Sequence, residues 1–208
     1  GRDVRANGTW MAVNKAGRFS AVTNFRDLKN INPNAKSRGE LPVNFLLENV
    51  SSHEYLGGIH KEAKAYNGFN LLTYENGKVF HYSNYEGKIN ELESGIYGLS
   101  NALLDTPWPK VKRLKQQFQR VIGGDFSHED LLSLLVDPAL ASDEELPDTG
   151  VGHDMEKMLS AICIKSENYG TCCSTVLTIS NEGELKFTER SYAVGNREVG
   201  EVSYQLQI

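Results

Sequence analysis

Apolar and polar residues alternate in short runs toward both ends of the chain, and recur at spacings of three and four through its middle. The runs Thr9 to Val13 and Arg18 to Thr23 flank the turn-rich stretch Asn14-Lys15-Ala16-Gly17, which predicts a hairpin. A helix is expected from Ser37, whose Ser-x-x-Glu spacing to Glu40 has the form of a capping box ahead of Leu41, Phe45, Leu46 and Leu47. A second Ser-x-x-Glu, Ser51 to Glu54, predicts a shorter helix toward Ala65, weakened by the Gly57-Gly58 pair.

Phe69 to Tyr74 and Lys78 to Tyr82 read as strands around Glu75-Asn76-Gly77, because Asn-Gly supplies the positive φ angles of a type I′ turn. Gly95 to Ser100 reads as another strand. Thr106-Pro107 then predicts a helix start, and Trp108, Val111, Leu114, Phe118 and Val121 line one face up to Gly123. Ser127 to Asp137 is expected to be the second helix of this pair, with Leu131, Leu132, Leu134 and Leu135 inward and His128 on the surface. Residues 138–158 are acidic and carry two prolines, which predicts a long loop. Four strands follow: Ala161 to Lys165, Cys172 to Ile179, Glu184 to Tyr192 and Val202 to Ile208, with Asn181-Glu182-Gly183 as a turn. Strand pairs at both ends with helix pairs between them imply an α+β fold, two stacked antiparallel sheets flanked by helices, in a single domain over residues 1–208.

A chain of 208 residues with 39% apolar and 24% charged residues is ordinary globular material. The net charge of −5 argues against a nucleic-acid surface, which needs clustered cations. The one basic cluster, Lys110, Lys112, Arg113, Lys115 and Arg120, decorates the helix after Pro107 and reads as a solvated face. No run reaches the ~18 apolar residues needed to span a bilayer, and Gly1-Arg2-Asp3 lacks a signal-peptide pattern. The absence of an initiator Met points to a processed or truncated chain. Cys163, Cys172 and Cys173 lack both zinc-site spacing and a full set of pairing partners, which favours free thiols in a reducing, cytoplasmic setting. The histidines, His53, His60, His81, His128 and His153, show no metal-ligand spacing.

Several runs resemble the NRDE family, also called the Transport and Golgi organisation protein 2 family. They are Gly8-Thr9-Trp10, the run from Gly17 to Asp27, Ser37 to Leu41, Tyr66 to Leu71, Gly95 to Asn101, Leu104 to Lys110, Tyr169-Gly170-Thr171 and Phe187 to Ser191. They follow the family's order over nearly the whole chain. The family's N-terminal Cys and its Asn-Arg-Asp-Glu motif are not in this sequence, and Cys172 stands where relatives commonly carry Arg.

The resemblance implies an αββα fold like that of the N-terminal-nucleophile hydrolases, with the N-terminal strand region missing. In such enzymes an N-terminal Cys attacks an amide carbonyl and Asn side chains stabilise the oxyanion. Asn24 and Asn101 are then the oxyanion candidates, unless they serve only to cap strand ends. Arg190 is a candidate for a ligand carboxylate or phosphate, or else a cross-strand partner of a Glu. Arg26, Trp10 and Asn70, within the matching runs, complete the ligand-binding candidates, and no metal site is expected. The resemblance also implies binding or trafficking of a hydrophobic anion such as haem or an acyl-CoA or lipid. Haem would be a ligand rather than a fixed cofactor. The alternative is a cysteine-dependent amide or acyl hydrolase, for which the family's nucleophile lies outside this sequence.

Overall fold

The computed structural model describes the whole chain except Arg2, Val4, Arg5, Asn168 and residues 194–198, so Arg2 of the opening segment lies outside the described residues. The fold is α+β with two antiparallel sheets, as expected, and the chain divides into two compact units, Gly1–Thr106 and Pro107–Ile208.

The N-terminal unit is built on five strands in sequence order: β1 (Met11–Val13), β2 (Phe19–Asn24), β3 (Phe69–Glu75), β4 (Lys78–Ser83) and β5 (Ile89–Leu92). Both expected hairpins are present. Asn76 and Gly77 take φ values of 51° and 78°, the two positive angles that the Asn-Gly turn needs. Strand β5 is an addition that the sequence reading missed, since only four residues, Ile89-Asn90-Glu91-Leu92, pair with β4.

Alternation sorts the sheet's two faces. Val22, Leu71 and Tyr82 are neighbours in register and turn to one side. There they pack with Leu41 and Phe45 of α1 (Glu40–Leu47) and Tyr55 and Leu56 of α2 (Ser52–Glu62). Each fully buried Leu or Phe in this layer stabilises the fold by about 1.5–3 kcal/mol. The Arg18 guanidinium lies 4.1 Å from the Phe45 ring centroid and donates to the Val50 carbonyl at 2.6 Å, which ties the exit of α1 to the sheet.

The Ser37–Glu40 capping box does not form. Gly39 is the N-cap without a side-chain bond, and the Glu40 carboxylate instead accepts from the Tyr66 hydroxyl at 2.5 Å. By contrast Ser51 caps α2 as expected, accepting from Glu54 N at 3.1 Å. Residues 95–100 are not a strand: Gly98 N donates to Asp105 Oδ1 at 2.8 Å and Asp105 N returns to Gly98 O at 2.7 Å, closing a loop. Their apolar side chains serve that loop rather than a ladder.

The C-terminal unit opens with α3 (Pro109–Ile122), two residues later than expected. Trp108 is the N-cap and Pro109, not Pro107, takes the first helical position, while Gly123 ends the helix as expected. Next comes α4 (His128–Leu134), with Ser127 and Asp130 in a capping box. The helix stops three residues short of Asp137, whose carboxylate instead accepts from Arg113 Nε at 2.7 Å and Ala139 N at 2.8 Å. Within the expected long loop sits α5 (His153–Leu159). The apolar pattern does not reveal it, because its inward face includes a charge: Glu156 is buried and accepts from Thr149 N and Oγ1 at 2.7 and 2.6 Å.

Residues 161–165 are not a strand either. Ala161 and Cys163 are apolar because they are buried, and Cys163 N bonds to Asp137 O at 2.8 Å. The second sheet is β6 (Cys173–Ile179), β7 (Glu184–Ser191) and β8 (Gly200–Gln207), in that order. Val176 of β6 packs with Leu131 and Leu132 of α4, backed by Phe118 and Val121 of α3. His128, expected on the surface, is buried between the sheet's threonines, 2.8 Å from Thr188 Oγ1 and 2.9 Å from Thr178 Oγ1. None of the three cysteines is in a disulfide; Cys163 is buried and the other two are half-buried.

Two glycines make a paired test of this packing. A Cβ on Gly8 would meet the Gly39 carbonyl carbon at 2.5 Å, whereas one on Gly58 would meet nothing within 4 Å. Gly8→Ala is expected to lower the melting temperature. Gly58→Ala, in an exposed helical position, is expected to add about 0.5–1 kcal/mol in denaturant unfolding.

Candidate functional site

Asn24, Arg26, Asn70 and Asn101 of the N-terminal unit converge at one end of its sheet. Thr23, Asn70 and His81 project to the face opposite the helices, because Thr23 pairs with Asn70 and Leu72 with His81 in register. Asn70 is fully buried. Its amide nitrogen donates to Thr23 Oγ1 at 3.3 Å and to Ala102 O at 2.9 Å, and its Oδ1 faces His81 Nε2 at 3.2 Å. Thr23 Oγ1 in turn donates to Ser100 O at 3.2 Å. Three strands and the loop over residues 98–106 are thereby joined through one side chain.

Because Asn70 Oδ1 can only accept, His81 Nε2 carries the proton and Nδ1 presents a lone pair. That Nδ1 is buried and has no hydrogen-bond partner. Burial holds the His81 pKa below its ordinary value, against a weaker opposing influence of Glu86. Sequence spacing singled out no histidine. The only signal for His81 is its place on the polar face of an otherwise apolar strand.

Asn101 and Asn24 are also brought together, by backbone rather than by a shared cavity. Asn101 Nδ2 donates to the Asn24 carbonyl at 3.0 Å, and Arg26 N donates to the Asn101 carbonyl at 2.7 Å. This two-bond clamp fastens residues 24–26 to the loop over 98–106. Leu28, Ile31 and Leu103 on the clamped loops are exposed, and Arg26 beside them is half-buried. Asp27 caps a single 3-10 turn (Leu28–Asn30) and receives the Tyr85 hydroxyl, while the Tyr85 ring stacks on Phe25 at 3.9 Å. Desolvation and the neighbouring Asp27 push the Tyr85 phenol up to about 12, so it stays protonated. Trp10 is not part of the clamp. It stands across from Val22, whose N–H donates to its carbonyl at 2.8 Å, and its ring is partly exposed.

Arg190 belongs to the C-terminal unit, where two carboxylates hold it. Its guanidinium bonds Glu129 at 3.0 and 2.6 Å and the cross-strand Glu201 at 2.8 and 2.6 Å. Glu201 is its register partner on β8, the pairing weighed from sequence as the alternative to ligand binding. The basic helix is engaged inward as well: Lys110 donates to Leu159 O at 2.9 Å, and Arg113 reaches Ala139 O at 2.7 Å besides Asp137. Among the described residues no group of three or more His, Cys, Asp or Glu side chains is arranged to hold a metal ion. No described helix is long and apolar enough to cross a membrane.

The architecture is thus that of an α+β protein whose polar site residues gather on one sheet end, in runs spread from residue 23 to residue 102. The profile of the family described as Transport and Golgi organisation 2 matches residues 1–194, and the chain belongs to that family. It is 36% identical over 203 residues to the Transport and Golgi organization protein 2 homolog of Bos taurus, a match covering 90% of this chain and 73% of that protein. The human homolog is 34% identical over 202 residues, and the Drosophila melanogaster protein 25% over 212, with the same coverage of each chain.

The buried imidazoles make stability depend on pH. As pH falls through 6.5, His81 and His128 of the unfolded chain take up protons that burial denies them in the folded chain. The unfolded state then binds more protons, so stability is intact above that pH and declines below it. Unfolding free energies from denaturant titrations at pH 7.5 down to 5.5 are expected to fall, by no more than about 1.4 kcal/mol per pH unit for each imidazole. His81→Gln is expected to flatten part of that slope.

Proposed function

We propose that the chain binds and carries a hydrophobic anion of the haem or acyl-CoA class, on the surface where residues 24–31 meet the loop over 98–106. The observation that carries this reading is the exposure of Leu28, Ile31 and Leu103 on two loops tied together by Asn101, whose carbonyl accepts from Arg26 N. Exposed apolar side chains grouped on clamped loops are where a ligand with an apolar body gains most from leaving water. An arginine at their margin suits a propionate or phosphate. The names of the relatives, which speak of transport, agree with a carrier role.

Haem iron takes a His, Cys, Met or Tyr ligand, and Tyr85, kept protonated beside Asp27, does not favour that role. That consideration ranks acyl-CoA or a related lipid anion above haem.

One observation keeps hydrolysis as a second reading. An amide nitrogen has two N–H donors, and the bond to the Asn24 carbonyl uses only one of those on Asn101. The other is available for an oxyanion, in an acyl or amide hydrolysis whose cysteine nucleophile is not among residues 1–208 by the family pattern.

Titration of the chain with haem, read at the Soret band, and with palmitoyl-CoA, read by calorimetry, tests the carrier reading. Saturable binding of at least one is expected, weakened about tenfold (about 1.4 kcal/mol) by Arg26→Gln and by Leu103→Ser. Failure of both ligands to saturate sinks the reading. Release of free CoA from palmitoyl-CoA by a form of the protein that carries the family's N-terminal Cys, lost in Asn101→Ala, would favour the hydrolase instead.

A further inference from the structure

The C-terminal unit contains a cleft of about 430 Å³ that none of the sequence-expected residues lines. Its walls include Val136, Cys163, Ile164, Lys165, Thr171 and Tyr192. The rim is a small excursion of the chain rather than a strand. Lys165 and Gly170 form an isolated antiparallel bridge, Thr171 N donates to Ile164 O at 2.9 Å, and Ile164 N donates to Thr171 Oγ1 at 2.9 Å. These bonds hold Lys165 at the mouth. Its side chain forms no ion pair among the described residues, whereas Lys110 and Arg113 of the same unit are spent on internal carbonyls and a carboxylate.

A second, independent observation lies in Tyr192. Its hydroxyl oxygen is buried and has no hydrogen-bond partner. A buried hydroxyl left unpaired is costly and rare, and a group that completes its hydrogen bond removes the cost. Volume, chemistry and charge then agree. The cavity lies within the range of ligand pockets, about 300–1,000 Å³. Val136 and Ile164 supply apolar wall, Tyr192 lines the same cleft with its unpaired hydroxyl buried in the wall, and Lys165 adds one positive charge. A single cation matches a monoanion better than a phosphate dianion, and the apolar wall excludes a fully hydrated ion.

We propose that this cleft binds a small monocarboxylate with an apolar body, Lys165 serving as its counter-ion and the Tyr192 hydroxyl as a hydrogen-bond donor to it. The site uses none of the residues of the N-terminal unit, so its test is separate from that of the carrier reading.

Three probes of one shape isolate the charge: 3-phenylpropanoate, 3-phenylpropanol and 3-phenylpropylamine, titrated into the whole chain by NMR or calorimetry. Saturable binding of the propanoate is expected, with the alcohol and amine at least about tenfold weaker. Lys165→Gln is expected to bring the propanoate to the level of the alcohol. Tyr192→Phe keeps the ring and removes the unpaired hydroxyl, so it is expected to melt no lower than the parent while binding the propanoate several-fold more weakly. Equal binding of the three probes, no saturation at millimolar propanoate, or unchanged affinity in Lys165→Gln overturns the proposal. Unchanged affinity in Tyr192→Phe overturns the role given to its hydroxyl.

Discussion

The N-terminal unit depends on the hydrogen bonding of one fully buried amide. Asn70 sits on the central strand of a five-stranded sheet, where an unpaired amide would be heavily penalised. Its partners come from β2, from β4 and from the loop over 98–106. All of them must be in place together for its donors and acceptor to be satisfied. The loop's position, and with it the Asn101 clamp and the exposure of Leu103, follows from that requirement. An apolar residue at position 70 would pack on the same strand yet remove the loop's bond at Ala102.

Much of the fold was legible because it is local. Asn76-Gly77 and Ser51 before Glu54 each act over two to four residues, and turn and cap chemistry at that range is written in residue types. The errors arose where a distant partner outbid the local pattern. Glu40 has the spacing of a capping box, but Tyr66, 26 residues away, takes its carboxylate. His128 stands in the first turn of a helix and would be solvated but for Thr178 and Thr188. Residues 161–165 look like a strand because burial and strand pairing select the same side chains. The candidate site was half legible: family-like runs brought Asn24, Asn70 and Asn101 to notice, while His81 and the Tyr192 cleft left no mark in spacing.

Three arginines are committed to holding the chain together. Arg18 staples the exit of α1, Arg113 binds Asp137, and Arg190 is shared between two glutamates. Cations held this way are not the ones to meet an anion. Position therefore matters more than number in deciding where a negatively charged ligand would settle.

The tether of the loop over 98–106 also bears on how the unit assembles. The bonds from Thr23 to Ser100 and from Asn101 to Asn24 each join residues 77 positions apart, while β3 and β4 close across the Asn76-Gly77 turn. Chain entropy lost on closing a segment grows with its length, so contacts of short separation form at lower cost. The β3–β4 hairpin is favoured as the early structure, β2 joins across its longer connection, and the loop docks after the strands that receive it. A chain emerging from synthesis thus has most of its sheet before it has its site, and the long-range tether acts as a late checkpoint on completion of the unit.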